Sequence, residues 1–474
     1  MTIRISIVGG GISGLATAYA IESKAGKADL KIETTLLEGE NRLGGKIMTR
    51  REEGYLLEWG PFGFLDNKPD TPKLISDIGL DSELLRSNDV SRKRYIFTGG
   101  ELQKLPENPP AFIISNILSF GSKMKILREP WTKPAPEGKD ETIAEFTERH
   151  LGKEVVAKLI DPMATGIFAG SADTLSLKSC LPVMDELEKE GGGSLFKAMV
   201  RRRKKKKAAL SNLSVGERRA RGAAEMGSGI LTSFKEGMEM LTSGVGRSLQ
   251  ANIISQAKVE RIEKDSGSWN IILADSKGTV TADIVVLAVP SYAAADIIKE
   301  VDDTLFDLLR GIPYVGVNVI NLGYDLAGLG HDLDGFGFLI PGQEKRKILG
   351  AIWSSSVFNG FAPDGKGSIR VMLGGSKNPD VADYDDDTTL LTVQQGLKET
   401  MGISADPEFV NIIRHNRAIP QYIVGHGARL EKIDERVDEL KGLYLTGNAY
   451  RGIGVNDCTR NARVLAERLI EIIN

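Results

Sequence analysis

Cysteine and histidine are scarce in this chain. Cys180, Cys458 and four histidines among 474 residues leave no disulfide framework, metal cluster or ligand spacing, and the cysteines read as small buried apolar residues. A surplus of either charge is also missing: 61 Lys and Arg against 64 Asp and Glu give a net charge of −3, which excludes a general basic bias toward nucleic acid. No long apolar run is present, since the candidate stretch from Ala111 to Phe120 is too short to span a bilayer. Met1 passes almost at once into a strand pattern, leaving no room for a secretion signal or transit peptide, so a cytoplasmic protein is expected. With 41% hydrophobic residues, the chain is long enough for two or more domains enclosing a cofactor and a sizeable substrate.

Ile5-Ser6-Ile7-Val8 runs into Gly9-Gly10-Gly11-Ile12-Ser13-Gly14, an apolar strand ending in a G-x-G-x-x-G turn that opens an alanine-rich helix. Gly9 suits the tight turn, Gly11 lets the backbone approach a pyrophosphate, Gly14 allows close helix–strand packing, and the helix N-terminus offers free N–H groups. A second strand, Lys31 to Leu37, ends at Glu38, where a carboxylate can accept ribose hydroxyls. A dinucleotide site follows from the set.

The segment Lys258 to Pro290 alternates like a meander and closes on the apolar strand Ala282 to Val289. Gly442 to Gly447 reads as another strand, followed by a C-terminal helix capped by Asn456 or Asp457. Strands are also expected at Val315–Leu322, Gly337–Ile340, Lys347–Trp353 and Ser368–Gly374. The run Arg201 to Lys207, with Arg218, Arg219 and Arg221 beyond it, reads either as a solvated loop or as a patch attracted to an anionic lipid surface.

Behind Glu38 come Arg42-Leu43-Gly44-Gly45-Lys46 and then Gly60-Pro61-Phe62-Gly63. With the opening turn and the C-terminal strand and helix, these resemble the three FAD fingerprints of the amine-oxidase-like flavoprotein superfamily. The resemblance narrows to the protoporphyrinogen oxidase family nearly end to end, through Lys93-Arg94-Tyr95, Gly166-Ile167-Phe168-Ala169-Gly170, Gly335 to Pro341, Met372 to Gly375, Ala418 to Tyr422 with Gly425-His426, and Tyr450 to Cys458. Phe62 stands where some members carry arginine, and Trp353 where relatives carry a smaller aromatic. Cys458 follows Val-Asn-Asp, so the covalent flavin site of the monoamine branch is not matched.

The resemblance implies an α/β fold. A discontinuous Rossmann-like FAD-binding domain (1–85, 231–290 and 441–474) would carry a mixed-sheet substrate domain (86–105 and 291–440) and a helical, membrane-binding-like insert (106–230). It implies non-covalent FAD contacted by Gly9, Gly10, Gly11, Ile12, Ser13, Gly14, Glu38, Arg42, Gly44, Gly45, Lys46, Gly60, Pro61, Phe62, Gly63, Val259, Asn448, Ile453, Gly454 and Val455. Arg94 would pair with a porphyrinogen propionate, as a planar guanidinium is suited to do. Met163, Gly166, Leu339, Trp353, Met372 and Ile419 would line the cavity, with Arg94 and Gly166 nearest the chemistry and a backbone carbonyl near Gly166 orienting the substrate. The implied activity is oxygen-dependent oxidation of protoporphyrinogen IX in haem synthesis, releasing hydrogen peroxide. Coproporphyrinogen III oxidation, another oxidase on this fold, and a non-catalytic flavin- or porphyrin-binding carrier remain as alternatives. Molecular oxygen is the implied co-substrate and no metal is expected. An anionic membrane surface, a second copy of the chain and a chelatase receiving the product are further implied partners.

Overall fold

A computed structural model of the chain describes residues 2–106, 115–211 and 229–474. Ile3–Val8 lies in a five-stranded parallel sheet ordered Asn252–Ile254, Ile32–Leu37, Ile3–Val8, Ile284–Leu287 and Leu443–Leu445. Ile5, Ile7, Val285, Val286 and Leu287 are fully buried, as parallel strands covered on both faces require. The helix Ile12–Lys27 and the C-terminal helix Val455–Ile473 meet over one core, where Ala16 and Ala18 share a cluster with Ala462 and Ala466. Sequence-distant segments thus complete a single parallel sheet. The meander Val259–Asp265, Ser268–Leu273 and Thr279–Ala282 buries Ile262, Trp269, Ile271 and Leu273 beside it.

The second large sheet has seven strands: Phe409–Pro420, Tyr314–Asp325, Lys366–Gly374, Ile348–Trp353, Gly337–Leu339, Arg94–Thr98 and Glu101–Lys104. Only the Gly337–Leu339 and Arg94–Thr98 pair is parallel, so the sheet is mixed. Between 115 and 211 the described residues form helices, turns and isolated bridges. Among the described residues, no helix is long and apolar enough to cross a membrane.

Three expectations change. The basic run is not a loop: Arg201 to Lys207 lie inside the helix Leu195–Ser211, anchored by buried Leu195 and Ala198 and by Arg202 Nε bonding Glu190 at 2.7 Å. Lys and Arg are good helix formers, and the pair offsets part of their mutual repulsion. Arg218, Arg219 and Arg221, like Ala111 to Ile114 of the apolar stretch, lie outside the described residues. The C-terminal helix is preceded by Gly454 rather than capped by Asn456 or Asp457, and Asp457 sits in its first turn, accepting from the Gly454 N–H at 3.3 Å. The strand Phe409–Pro420 is an addition to the expected strands, because polar Asn411, Arg414 and His415 interrupt its apolar pattern.

Candidate functional site

The first glycine turn leaves a groove at the carboxyl edge of the parallel sheet. Gly9 has φ +109°, and a Cβ there would stand 2.8 Å from the Ala288 carbonyl oxygen; one on Gly14 would stand 1.9 Å from that of Gly9. A Cβ on Gly11 would meet nothing nearer than the Gly45 Cα at 4.0 Å, so that side is open. The first N–H groups of the helix Ile12–Lys27 face this end, presenting the positive end of the helix dipole. The Gly44 N–H donates to the Gly10 carbonyl at 2.8 Å, and Gly11 and Gly44 form a bridge, so the two glycine loops run side by side.

Arg42 wraps this second loop, its Nη2 donating to the Gly45 carbonyl at 2.6 Å and its Nη1 to those of Leu43 and Ile47. Glu38, buried at the end of its strand, accepts N–H groups from Gly10 at 2.6 Å and Glu40 at 2.8 Å. Val259 is buried nearby, where Ala257 donates to the Glu38 carbonyl. Asn448 and Ile453–Gly454 lie on the segment that leads into the C-terminal helix, which begins at Val455. They are braced from behind, with Tyr422 Oη donating to the Asn448 carbonyl at 2.6 Å and His426 Nε2 lying 3.0 Å from that of Tyr450. Gln421 donates to the Phe168 carbonyl at 2.8 Å, tying the same stretch to the helix Asp161–Phe168.

Strand register sorts the remaining residues. Gly337 pairs with both Arg94 and Ile352, Leu339 with Gly350, Met372 with Gly350 and Val319, and Val315 with Ile419, which places Arg94, Leu339, Met372 and Ile419 on one face of the seven-stranded sheet. Met163 and Gly166 lie on the helix Asp161–Phe168, and a Cβ on Gly166 would come within 2.8 Å of Leu339 Cδ2. Trp353 is the exception. It pairs with Ile369 on the opposite face and is sealed in the core with Phe338 and Val371. The alternation of the strand puts Ile352, not Trp353, on the shared face, where it packs with Phe62, Phe358 and Phe361. Arg94 is exposed, its guanidinium 5.2 Å from the Phe336 ring, with no ion-pair partner among the described residues.

Three basic side chains join the sheet to the glycine loops. Arg370 Nη2 donates to the Gly60 carbonyl at 2.7 Å, His415 Nε2 lies 2.8 Å from that of Trp59, and Lys46 Nζ donates to that of Arg417 at 2.9 Å and to that of Ala418. Burial lowers the Lys46 amine to about 8 and the Arg370 guanidinium to about 10, and it lowers His415, beside Lys46 and Arg370, against the opposing Trp59 contact. Burial also raises Glu58 to about 7 against the Met238 N–H and Thr49 hydroxyl it accepts. Neither Arg370 nor His415 was picked out from the sequence. A lone arginine among Ile369, Val371 and Leu373 was the signal available for the first.

A dinucleotide fits this groove: the Gly11 side is open, the helix N–H groups suited to phosphate lie at that end, and the buried Thr446 Oγ1 and Trp59 Nε1 have no hydrogen-bond partner among the described residues. Cys458 is buried and its thiol is raised by burial to about 11, so it is not an activated nucleophile.

The model of the flavin-containing amine oxidoreductase family matches residues 12–470, and the chain belongs to that family. It is an FAD-dependent oxidoreductase. Protoporphyrinogen oxidase 1, chloroplastic, of Arabidopsis thaliana is 30% identical over 100% of this chain and 88% of its own length. The coproporphyrinogen III oxidase of Bacillus subtilis (strain 168) is 28% identical over 96% and 95%. A crystal structure from Exiguobacterium sp. 255-15 superposes with a TM-score of 0.82 at 26% identity, covering 100% of this chain and 99% of that one. Reduced UDP-galactopyranose mutase, at 14% identity and a TM-score of 0.71, shares the fold.

Proposed function

We propose that this chain oxidises a porphyrinogen to the porphyrin with molecular oxygen as the acceptor, protoporphyrinogen IX being the first candidate. The observation that carries it is the single sheet face bearing an exposed cation, Arg94, beside apolar Leu339, Met372 and Ile419, opposite Gly166. A tetrapyrrole with an apolar rim and carboxylate arms calls for an apolar slot with a cation at its mouth. Arg94 would hold a propionate, and Gly166 and Leu339 would set the slot's width while Met163 closes its rim. FAD, when bound, supplies the two-electron acceptor for hydride removal. Six electrons and six hydrogens leave the substrate in three rounds, reducing three molecules of oxygen to hydrogen peroxide. The chain's own residues bind the ring, orient one bridging carbon and exclude water. A second reading, coproporphyrinogen III, is favoured by the relative of that name in Bacillus subtilis.

Mixing FAD-loaded protein with each porphyrinogen in the absence of oxygen tests this. Rapid bleaching of the oxidised flavin with one substrate and not the other names the substrate, and no bleaching with either removes the proposal.

The helical region would dock on an anionic membrane. Phe120, Met124 and Leu127 project at helical spacing with Trp131 beyond them, and Phe196 and Met199 are exposed on the helix that carries Arg201, Arg203 and Lys204. The two surfaces are tied together, because Glu129 accepts the N–H groups of Leu195 and Phe196. Trp131→Ser with Phe196→Ser should abolish co-flotation with phosphatidylglycerol vesicles, and unchanged flotation would retire the surface.

A further inference from the structure

Arg370 is almost wholly buried, and no carboxylate lies within ion-pair distance of it among the described residues. Its Nη2 is spent on the Gly60 carbonyl, its Nε has no partner among the described residues, and its guanidinium lies 5.7 Å from the Phe62 ring. A buried cation is ordinarily paired, because leaving water unpaired is costly. The carboxylate that interacts most with it is Glu58, already engaged by the Met238 N–H at 2.7 Å and the Thr49 hydroxyl at 2.8 Å. Burial keeps Glu58 partly protonated near neutral pH, so it neutralises Arg370 incompletely.

The cation stands at the end of a short chain of backbone contacts from the dinucleotide groove. A Cβ on Gly45 would lie 3.2 Å from the Gly11 Cα, and one on Gly60 would lie 2.2 Å from the Lys46 carbonyl oxygen. The peptide of Gly60 is the one Arg370 holds. Two close backbone approaches therefore separate the pyrophosphate turn from the buried guanidinium.

We propose that Arg370 is a positioning residue for the flavin: it fixes the Trp59–Gly63 turn through the Gly60 carbonyl and supplies a positive charge, only partly neutralised by Glu58, that favours the reduced, more negative flavin ring. This rests on the FAD contact expected of Gly60 to Gly63, taken to be made with that ring. In a dry site a fixed cation acts at far higher strength than in water. The buried Nε has no hydrogen-bond partner among the described residues.

The test is the two-electron reduction equilibrium of FAD bound to the full chain, measured against a reference dye, together with its affinity for sulfite, which adds to electron-poor flavins. Arg370→Gln keeps a donor for Gly60 but removes the charge. It should shift the equilibrium at least tenfold toward oxidised flavin, about 30 mV for a two-electron couple, and weaken sulfite binding at least tenfold. Arg370→Lys keeps the charge without the planar fork and should stay within about threefold of wild type in both. If the Gln variant sheds FAD while the Lys variant holds it at the wild-type potential, charge is again the deciding property. A Gln variant with FAD and both values unchanged overturns the inference, as does a Lys variant that loses FAD or shifts at least tenfold toward oxidised flavin. Wild-type protein that takes up no FAD would overturn the flavin-site reading itself, and the inference with it.

Discussion

Glu58 carries the clearest pH signature at the scale of single residues. Burial raises its folded-state value from the ordinary 4.5 to about 7, so its contribution to stability is full below pH 4.5 and is lost as the pH rises through 7. A shift of this size corresponds to on the order of 2–3 kcal/mol. Glu58→Gln should therefore gain on wild type by that amount between pH 4.5 and 7.5 in urea unfolding, and a constant difference across that range would remove the assignment. Arg94 is exposed and holds no carboxylate among the described residues, which supports the proposed role at the substrate over one in the fold. Arg94→Ala should raise KM for a porphyrinogen about thirtyfold, the loss of one charge-assisted contact worth about 2 kcal/mol, with FAD still bound. Unchanged kinetics would take Arg94 out of the site. Gly14→Ala puts a Cβ 1.9 Å from the Gly9 carbonyl oxygen. The expected product is colourless protein, and a yellow preparation with normal FAD content would contradict the close-packing argument.

Between elements, the stretch Gln421–His426 acts as a brace, reaching Phe168 at the end of one helix and Asn448 and Tyr450 before another. Tyr422→Phe removes one bond of this brace and leaves the Asn448 carbonyl short of a donor, at a cost of about 1–2 kcal/mol. FAD affinity, read from flavin fluorescence on dilution, should fall about tenfold; no change would make the brace irrelevant to the cofactor. The elements themselves were largely legible in the sequence. Gly9 to Gly14, the apolar run Ile284 to Leu287 and the alternation of Trp269, Ile271 and Leu273 each carry a period that one physical environment dictates. Trp353 shows the limit. Its identity was visible, but the face it occupies depends on register, and a shift of one residue exchanges it with Ile352. Arg370 and His415 were missed for a related reason. Their partners are backbone carbonyls at Gly60 and Trp59, which leave no mark in side-chain pattern. The helix through Arg201 to Lys207 was hidden because like charge argues for a loop, while Glu190 and buried Ala198 lie elsewhere in the pattern.

Across the whole molecule, two sheets divide the labour. The parallel one opens a groove suited to the dinucleotide at its carboxyl edge, and one face of the mixed one gathers Arg94, Leu339, Met372 and Ile419. Lys46, His415 and Arg370 join them through main-chain carbonyls, so the apolar face and the groove are held as one unit. The most direct test of the central claim is porphyrin fluorescence and oxygen uptake followed together when FAD-loaded protein meets protoporphyrinogen IX or coproporphyrinogen III in air, beside a control without protein. The account predicts porphyrin formation well above the control with three oxygens consumed per porphyrin. Bound flavin with no acceleration of either oxidation would contradict it.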